Sequence, residues 1–198
     1  MNTIITEKNE RGEEVAYDVF SKLIESRILF LHDYISDEIA TDIVATLIYL
    51  DHLSEDKISL YLNCEGGDIE SVFTIYDTIS MIASEVETVC MGEVMNEAVL
   101  LLAAGNKGKR FATKSSFMCI KQLDHKYSAH GDMTKVEIML EQSKKENARF
   151  LEALSECTGK SVKKLTKDME RDLFLDPTHA KKYNLIDEII GEKNVKKV

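Results

Sequence analysis

The side chains able to do nucleophilic or metal chemistry are four cysteines and five histidines, and their spacing is poor for both. Cys64, Cys90, Cys119 and Cys157 stand far apart with no CxxC pair, which is neither a zinc pattern nor the disulfide frame of a secreted domain. They read as reduced, structural thiols. His32, His52, His125, His130 and His179 show no HExxH-type spacing, so no metal site and no cofactor is expected. One pair has the chemistry of a nucleophile: Cys119 lies two positions before Lys121 on an expected strand, hence on the same face, and a neighbouring ammonium can lower a thiol's pKa. The reading adopted for Cys119 is nevertheless the plainer one, a small apolar strand residue. His125 and His130 fall on a polar loop as solvated residues, and Ser115 and Ser116 read as turn or strand-start residues.

The elements that must position these residues alternate. RILFL (27–31) is an apolar run suited to a buried strand, and Ser36-Asp37-Glu38 caps a helix carrying Ile39, Ile43, Leu47 and Leu50. ISLYLN (58–63) is a second strand, CEGGD a glycine turn, and IESVFTIYDTISMIA a helix. ETVCMG, the helix NEAVLLLAAG, and the strands GKRFAT and SSFMCIKQL follow. Such alternation predicts an α/β fold with parallel pairing. A long charged helix is expected over 131–158, closed by Gly159, and then a helix with Pro177 in its first turn. Upstream, AYDVFSKLIES from Ala16 reads as a short amphipathic helix behind a mobile polar segment, residues 1–15. Residues 16–191 form the expected single domain and 192–198 a short basic tail.

Composition narrows the function classes. A net charge of −10 disfavours a general nucleic-acid surface, which is built from clustered Lys and Arg. No apolar run approaches a membrane span, and the opening MNTIITEKNERGEE lacks the pattern of a signal or transit peptide. The expected location is cytoplasmic, or an organelle interior after trimming.

The order of elements and the phrases SRILFL, YLNCEGGDIESVFTIYDT, VCMGEVMNEAVLLLAAGNKGKRFA, ECTG and ERDLFLDPTHAKKYNLIDEII resemble the Clp protease proteolytic subunit family (ClpP), over about residues 17–190. The resemblance implies the ClpP/crotonase fold of stacked βαβ units, with the long helix as a handle. It also implies where a serine, histidine and aspartate triad should lie. Asn96 takes the serine's place within Gly92-Glu93-Val94-Met95-Asn96-Glu97-Ala98, and Lys121 takes the histidine's. An amide is not a usable nucleophile, and an ammonium cannot accept the proton. The acidic member is kept as Asp172, beside Arg171, and a Lys121–Asp172 ion pair would plug the pocket if buried. The implied oxyanion donors are the N–H groups of Gly67 and Glu97, and the Glu97 side chain adds negative charge where an oxyanion should form.

The turn that in the family reads SPGG is here Cys64-Glu65-Gly66-Gly67, and the QPLGG segment is Gln122-Leu123-Asp124-His125-Lys126. Arg171 and Asp172 match ring-pairing positions, and Tyr61, Val89, Met91 and Phe111 match an ATPase-docking pocket, with Thr113 where an apolar residue is usual. The expectation is a ClpR-like, inactive subunit that completes heptameric rings with an active ClpP paralogue and carries a Clp AAA+ ATPase. No nucleic acid or membrane is expected as partner. A stand-alone ring scaffold or adaptor, or a serine-type peptidase with unorthodox chemistry, are the alternatives.

Overall fold

The computed structural model describes residues 3–8, 11–123 and 132–191. The chain opens with β1 (Ile4–Lys8) and β2 (Glu14–Asp18), an antiparallel pair in which Ile4 faces Asp18 and Lys8 faces Glu14. Ala16 and Tyr17 therefore belong to a strand and not to the helix the sequence predicts there. The helix α1 (Val19–Glu25) starts later because the Asp18 carboxylate accepts the Ser21 N–H as its N-cap.

Next come β3 (Ile28–Leu31), α2 (Asp37–Leu53), β4 (Ile58–Cys64), α3 (Ile69–Met81), β5 (Val86–Met95), α4 (Ala98–Ala104), β6 (Arg110–Thr113) and β7 (Phe117–Ile120). Ser36 caps α2 through a bond from the Ile39 N–H, and Ala40, Ile43, Leu47 and Leu50 turn inward at helical spacing. The remaining elements are α5 (Met133–Thr158), α6 (Val162–Asp168), β8 (Leu173–Leu175), α7 (Pro177–Tyr183) and β9 (Glu188–Ile190).

Strands β3, β4, β5, β6 and β9 lie side by side, each pair parallel, with crossover helices between them. This is the predicted α/β architecture with a mostly parallel sheet. Strand β5 is longer than the sequence suggests because it serves two neighbours. Its first half, Thr88–Cys90, pairs with β6, and its second half, Glu93–Met95, pairs with β7. The fork lies at Gly92, whose φ is 100° and where an added Cβ would come 2.5 Å from the Asn63 Oδ1, so only glycine fits. Strand β8 adds to β7 antiparallel.

The core is closed by α4, in which every residue from Ala98 to Ala103 is buried, as expected of a helix that is apolar all round. Each of its leucines stabilises the fold by about 1.5–3 kcal/mol of gross transfer energy. The 26-residue α5 divides differently. No residue of it before Glu146 is buried, and Met133, Ile138 and Leu140 stand exposed, while Phe150, Leu151 and Leu154 pack on the core. Gly159 ends it in the left-handed conformation, φ 71°, donating its N–H to the Ser155 carbonyl.

A buried cation holds the last strand in place. Arg110 is 1 % exposed, and its guanidinium donates to both Asp187 oxygens (2.9 and 2.7 Å) and to the carbonyls of Cys157 and Asn184. Burial alone would raise the Asp187 carboxyl, but the Arg110 hydrogen bonds and charge outweigh it and hold that group below the ordinary carboxylate range.

Candidate functional site

The site lies where the end of β5 meets the turn after β4. Strand β5 runs straight into Asn96, whose φ is 54°, the left-handed region that asparagine tolerates better than most residues. Its backbone N–H donates to the Cys119 carbonyl (2.9 Å), fixing the bend to β7, and α4 begins two residues later. A sharp strand-to-helix bend of this kind is how an acyl-transfer nucleophile is presented. Here the side chain presented is an amide, and its Nδ2 donates to the Glu65 carbonyl at 2.6 Å.

The facing turn is Cys64-Glu65-Gly66-Gly67. It is fixed on its far side by Ile35, whose N–H donates to the Gly66 carbonyl (3.0 Å) and whose carbonyl accepts the Asp68 N–H (2.8 Å). The Cys64 thiol donates to the Asp33 carbonyl (3.1 Å), and burial, reinforced by nearby carboxylates including Glu97, pushes it up to about 11. A Cβ on Gly67 would sit 2.3 Å from the Ile35 Cβ, so the turn cannot accept a side chain there.

Gly67 is the expected oxyanion donor, and its N–H already has an acceptor: the Glu97 Oε2 at 3.3 Å. Glu97 is buried, at 7 % exposure, and makes no side-chain cap bond to its own helix. The side chain does not turn away from the hole. Its Oε2 takes the N–H that the family resemblance makes an oxyanion donor.

The other two triad positions lie across β7 and β8. Their ladder ends with Ile120 opposite Leu173, so Lys121 and Asp172 follow as the next step. Both charges act on the Cys119 thiol: burial raises its pKa first, the Asp172 charge adds to this, and Lys121 opposes. Cys119 is 2 % exposed, which works against the thiolate a nucleophile needs. Asp172 is exposed, so a pair with Lys121 would be screened by solvent and is not the buried plug the sequence suggested. The plug is Glu97. Arg171 is also exposed, beside Asp172 at the start of β8. Gln122 is exposed and Leu123 buried, whereas Asp124, His125, Lys126 and His130 lie outside the described residues. Among the described residues no group of three His, Cys, Asp or Glu converges to hold a metal ion, and no helix is long and apolar enough to cross a membrane.

The four pocket positions share one sheet face. Tyr61 is registered with Val89, and Val89 with Phe111, which gives a row across three strands, with Met91 two residues further along and 45 % exposed. Thr113 lies two residues beyond Phe111, registered with Ile190. Sequence reasoning missed the row's fourth member. Phe30 is registered with Tyr61 and stacks on it (centroids 5.1 Å), and Phe20 packs edge-on against Phe30 at 5.9 Å. The alternation Leu29-Phe30-Leu31 held the signal, since Phe30 must face away from its two buried neighbours.

A forked parallel sheet whose central strand bends into a helix opposite a glycine turn is the frame of a ClpP-type α/β protein. Residues 10–193 match the family model described as Clp protease, and the chain belongs to the Clp protease family. Membership gives it a ClpP-like role in Clp proteolysis, and implies oligomeric assembly with ClpP partners and Clp ATPases.

Proposed function

We propose that this chain is a non-catalytic, ClpR-like subunit of a mixed Clp peptidase barrel, completing heptameric rings with an active ClpP paralogue. The observation that carries the reading is the Glu97 carboxylate on the Gly67 N–H, beside an amide at the nucleophile position. Acyl transfer needs an ionisable nucleophile, a base and donors aimed at a developing negative charge. Asn96 supplies no such nucleophile, Lys121 is a cation where a base is required, and Glu97 opposes the third condition.

The subunit's contribution is to assembly, to the shape of chamber and pore, and to ATPase docking. Support for assembly is the first half of α5, which leaves Met133, Ile138 and Leu140 exposed and suits a handle that meets a second ring. Support for docking is the apolar row of Tyr61, Val89, Met91 and Phe111, continued by Phe30. Arg171 and Asp172, exposed together, are available for ring pairing. The test is peptide hydrolysis and fluorophosphonate labelling of the isolated protein, with native mass spectrometry of the complex from its own cell. No turnover, no labelled serine and co-assembly with an active paralogue are expected. Turnover would favour unorthodox chemistry, and a pure homo-oligomer would favour a stand-alone scaffold.

A further inference from the structure

The degenerate site does more than lack a nucleophile: two consecutive side chains reach from the elbow to the glycine turn and hold it. Asn96 Nδ2 takes the Glu65 carbonyl and Glu97 Oε2 takes the Gly67 N–H, so both polar ends of the turn are served by the elbow. Gly66 lies under both, since a Cβ there would come within 2.6 Å of Glu97 Oε2 and 3.0 Å of the Asn96 Cβ. On the opposite side the turn is against Ile35 and cannot retreat. The first amides of α3, those of Glu70 and Ser71, are satisfied separately by the Asp68 carboxylate. The Gly67 amide therefore has Glu97 as its own acceptor, and the buried carboxylate gains a donor that offsets part of its desolvation.

We infer that the Gly67 amide is a carboxylate-binding site that this chain fills with Glu97, and that Asn96 and Glu97 together latch the turn in the geometry a bound ligand would otherwise impose. The inference rests on reading the site as non-catalytic, and it adds a role for the residues that replaced the chemistry. A pseudo-active site latched in this way has no free place for a peptide carbonyl. Removing Glu97 while keeping the turn leaves a vacancy of fixed shape that accepts a small external carboxylate.

The experiment is residue-resolved hydrogen exchange at Gly67 in the full assembled chain, comparing wild type, E97A and E97Q. Loss of a charged acceptor should speed exchange at this amide by about tenfold or more in E97A. Added sodium acetate should slow it again in E97A and leave wild type unchanged, with sodium chloride at equal ionic strength giving no such recovery. Exchange in E97A that ignores acetate, or matches wild type, overturns the inference. E97Q keeps the side-chain volume and guards against misfolding of the alanine variant: intermediate exchange is expected, and wild-type exchange would also overturn it. None of these readings depends on peptide turnover, so failure of the latch is separable from failure of the non-catalytic assignment.

Discussion

Rebuilding the triad in steps tests which departure limits catalysis. The series is N96S, N96S/K121H and N96S/K121H/E97A. N96S alone should stay at background, because a serine without its base loses about 10⁶ in kcat in a triad enzyme. It should also cost stability. The left-handed φ of 54° at this position is worth about 1–2 kcal/mol against a residue other than glycine or asparagine, and the bond from Nδ2 to the Glu65 carbonyl about 0.5–1.5 kcal/mol more. N96S/K121H restores nucleophile and base, but the Gly67 donor remains occupied by Glu97 at 3.3 Å. One oxyanion donor is worth about 10²–10³ in kcat. A carboxylate roughly 4 Å from a developing oxyanion adds repulsion of about 4 kcal/mol at an effective dielectric constant near 20. The triple variant should therefore exceed the double by at least about 10². The assay is the rate of fluorophosphonate labelling, mapped to position 96, alongside hydrolysis of a fluorogenic peptide. Equal rates in double and triple variants would refute the account of Glu97, and labelling of N96S at that position would refute the account of Lys121.

Asp187→Ala leaves the Arg110 guanidinium buried without its carboxylate and should lower stability by about 3 kcal/mol, read by denaturant unfolding. Because the folded-state pKa of Asp187 is depressed, its contribution is present above the ordinary carboxylate pKa and is lost as pH falls through the folded value. Wild type should lose stability in acid, below about pH 4, to a degree that D187N does not; parallel acid profiles would contradict the pairing. Gly67→Ala places a Cβ 2.5 Å from the Ile35 carbonyl oxygen and should cost about 1–3 kcal/mol by overpacking, with a matching fall in Tm. Sedimentation should show particles far heavier than the 22.4 kDa chain, and deleting residues 132–157 should abolish ring pairing. Titrating the subunit into an active paralogue should change peptide turnover and ATPase-driven protein turnover by different amounts, and no change at any ratio would sink the mixed barrel.

Much of the frame is legible in the sequence because it rests on local rules. Ser36 caps α2, the alternation of apolar runs with amphipathic helices sets a parallel sheet, and Gly159 ends α5, each specified by residues within a few positions. The N-terminal hairpin was not legible. Thr6 and Ala16 pair across ten positions, and no local pattern in that polar stretch distinguishes a strand from a tail. The length of β5 was also hidden, since only a second neighbour, β7, extends it past Gly92.

The same division runs through the site. That Asn96, Lys121 and Glu97 stand where chemistry is expected is a matter of residue order along the chain. Where their side chains go is not. Glu97 meets the Gly67 amide 30 residues away because the β4–α3–β5 crossover brings the elbow and the glycine turn face to face, and because glycine at 66 leaves the gap that the carboxylate fills. Asp172, by contrast, is exposed because β8 is the last strand beyond β7. Residue types along the chain put an amide and an ammonium at the expected triad positions, whereas the packing of distant turns decided that the Glu97 carboxylate meets the Gly67 amide.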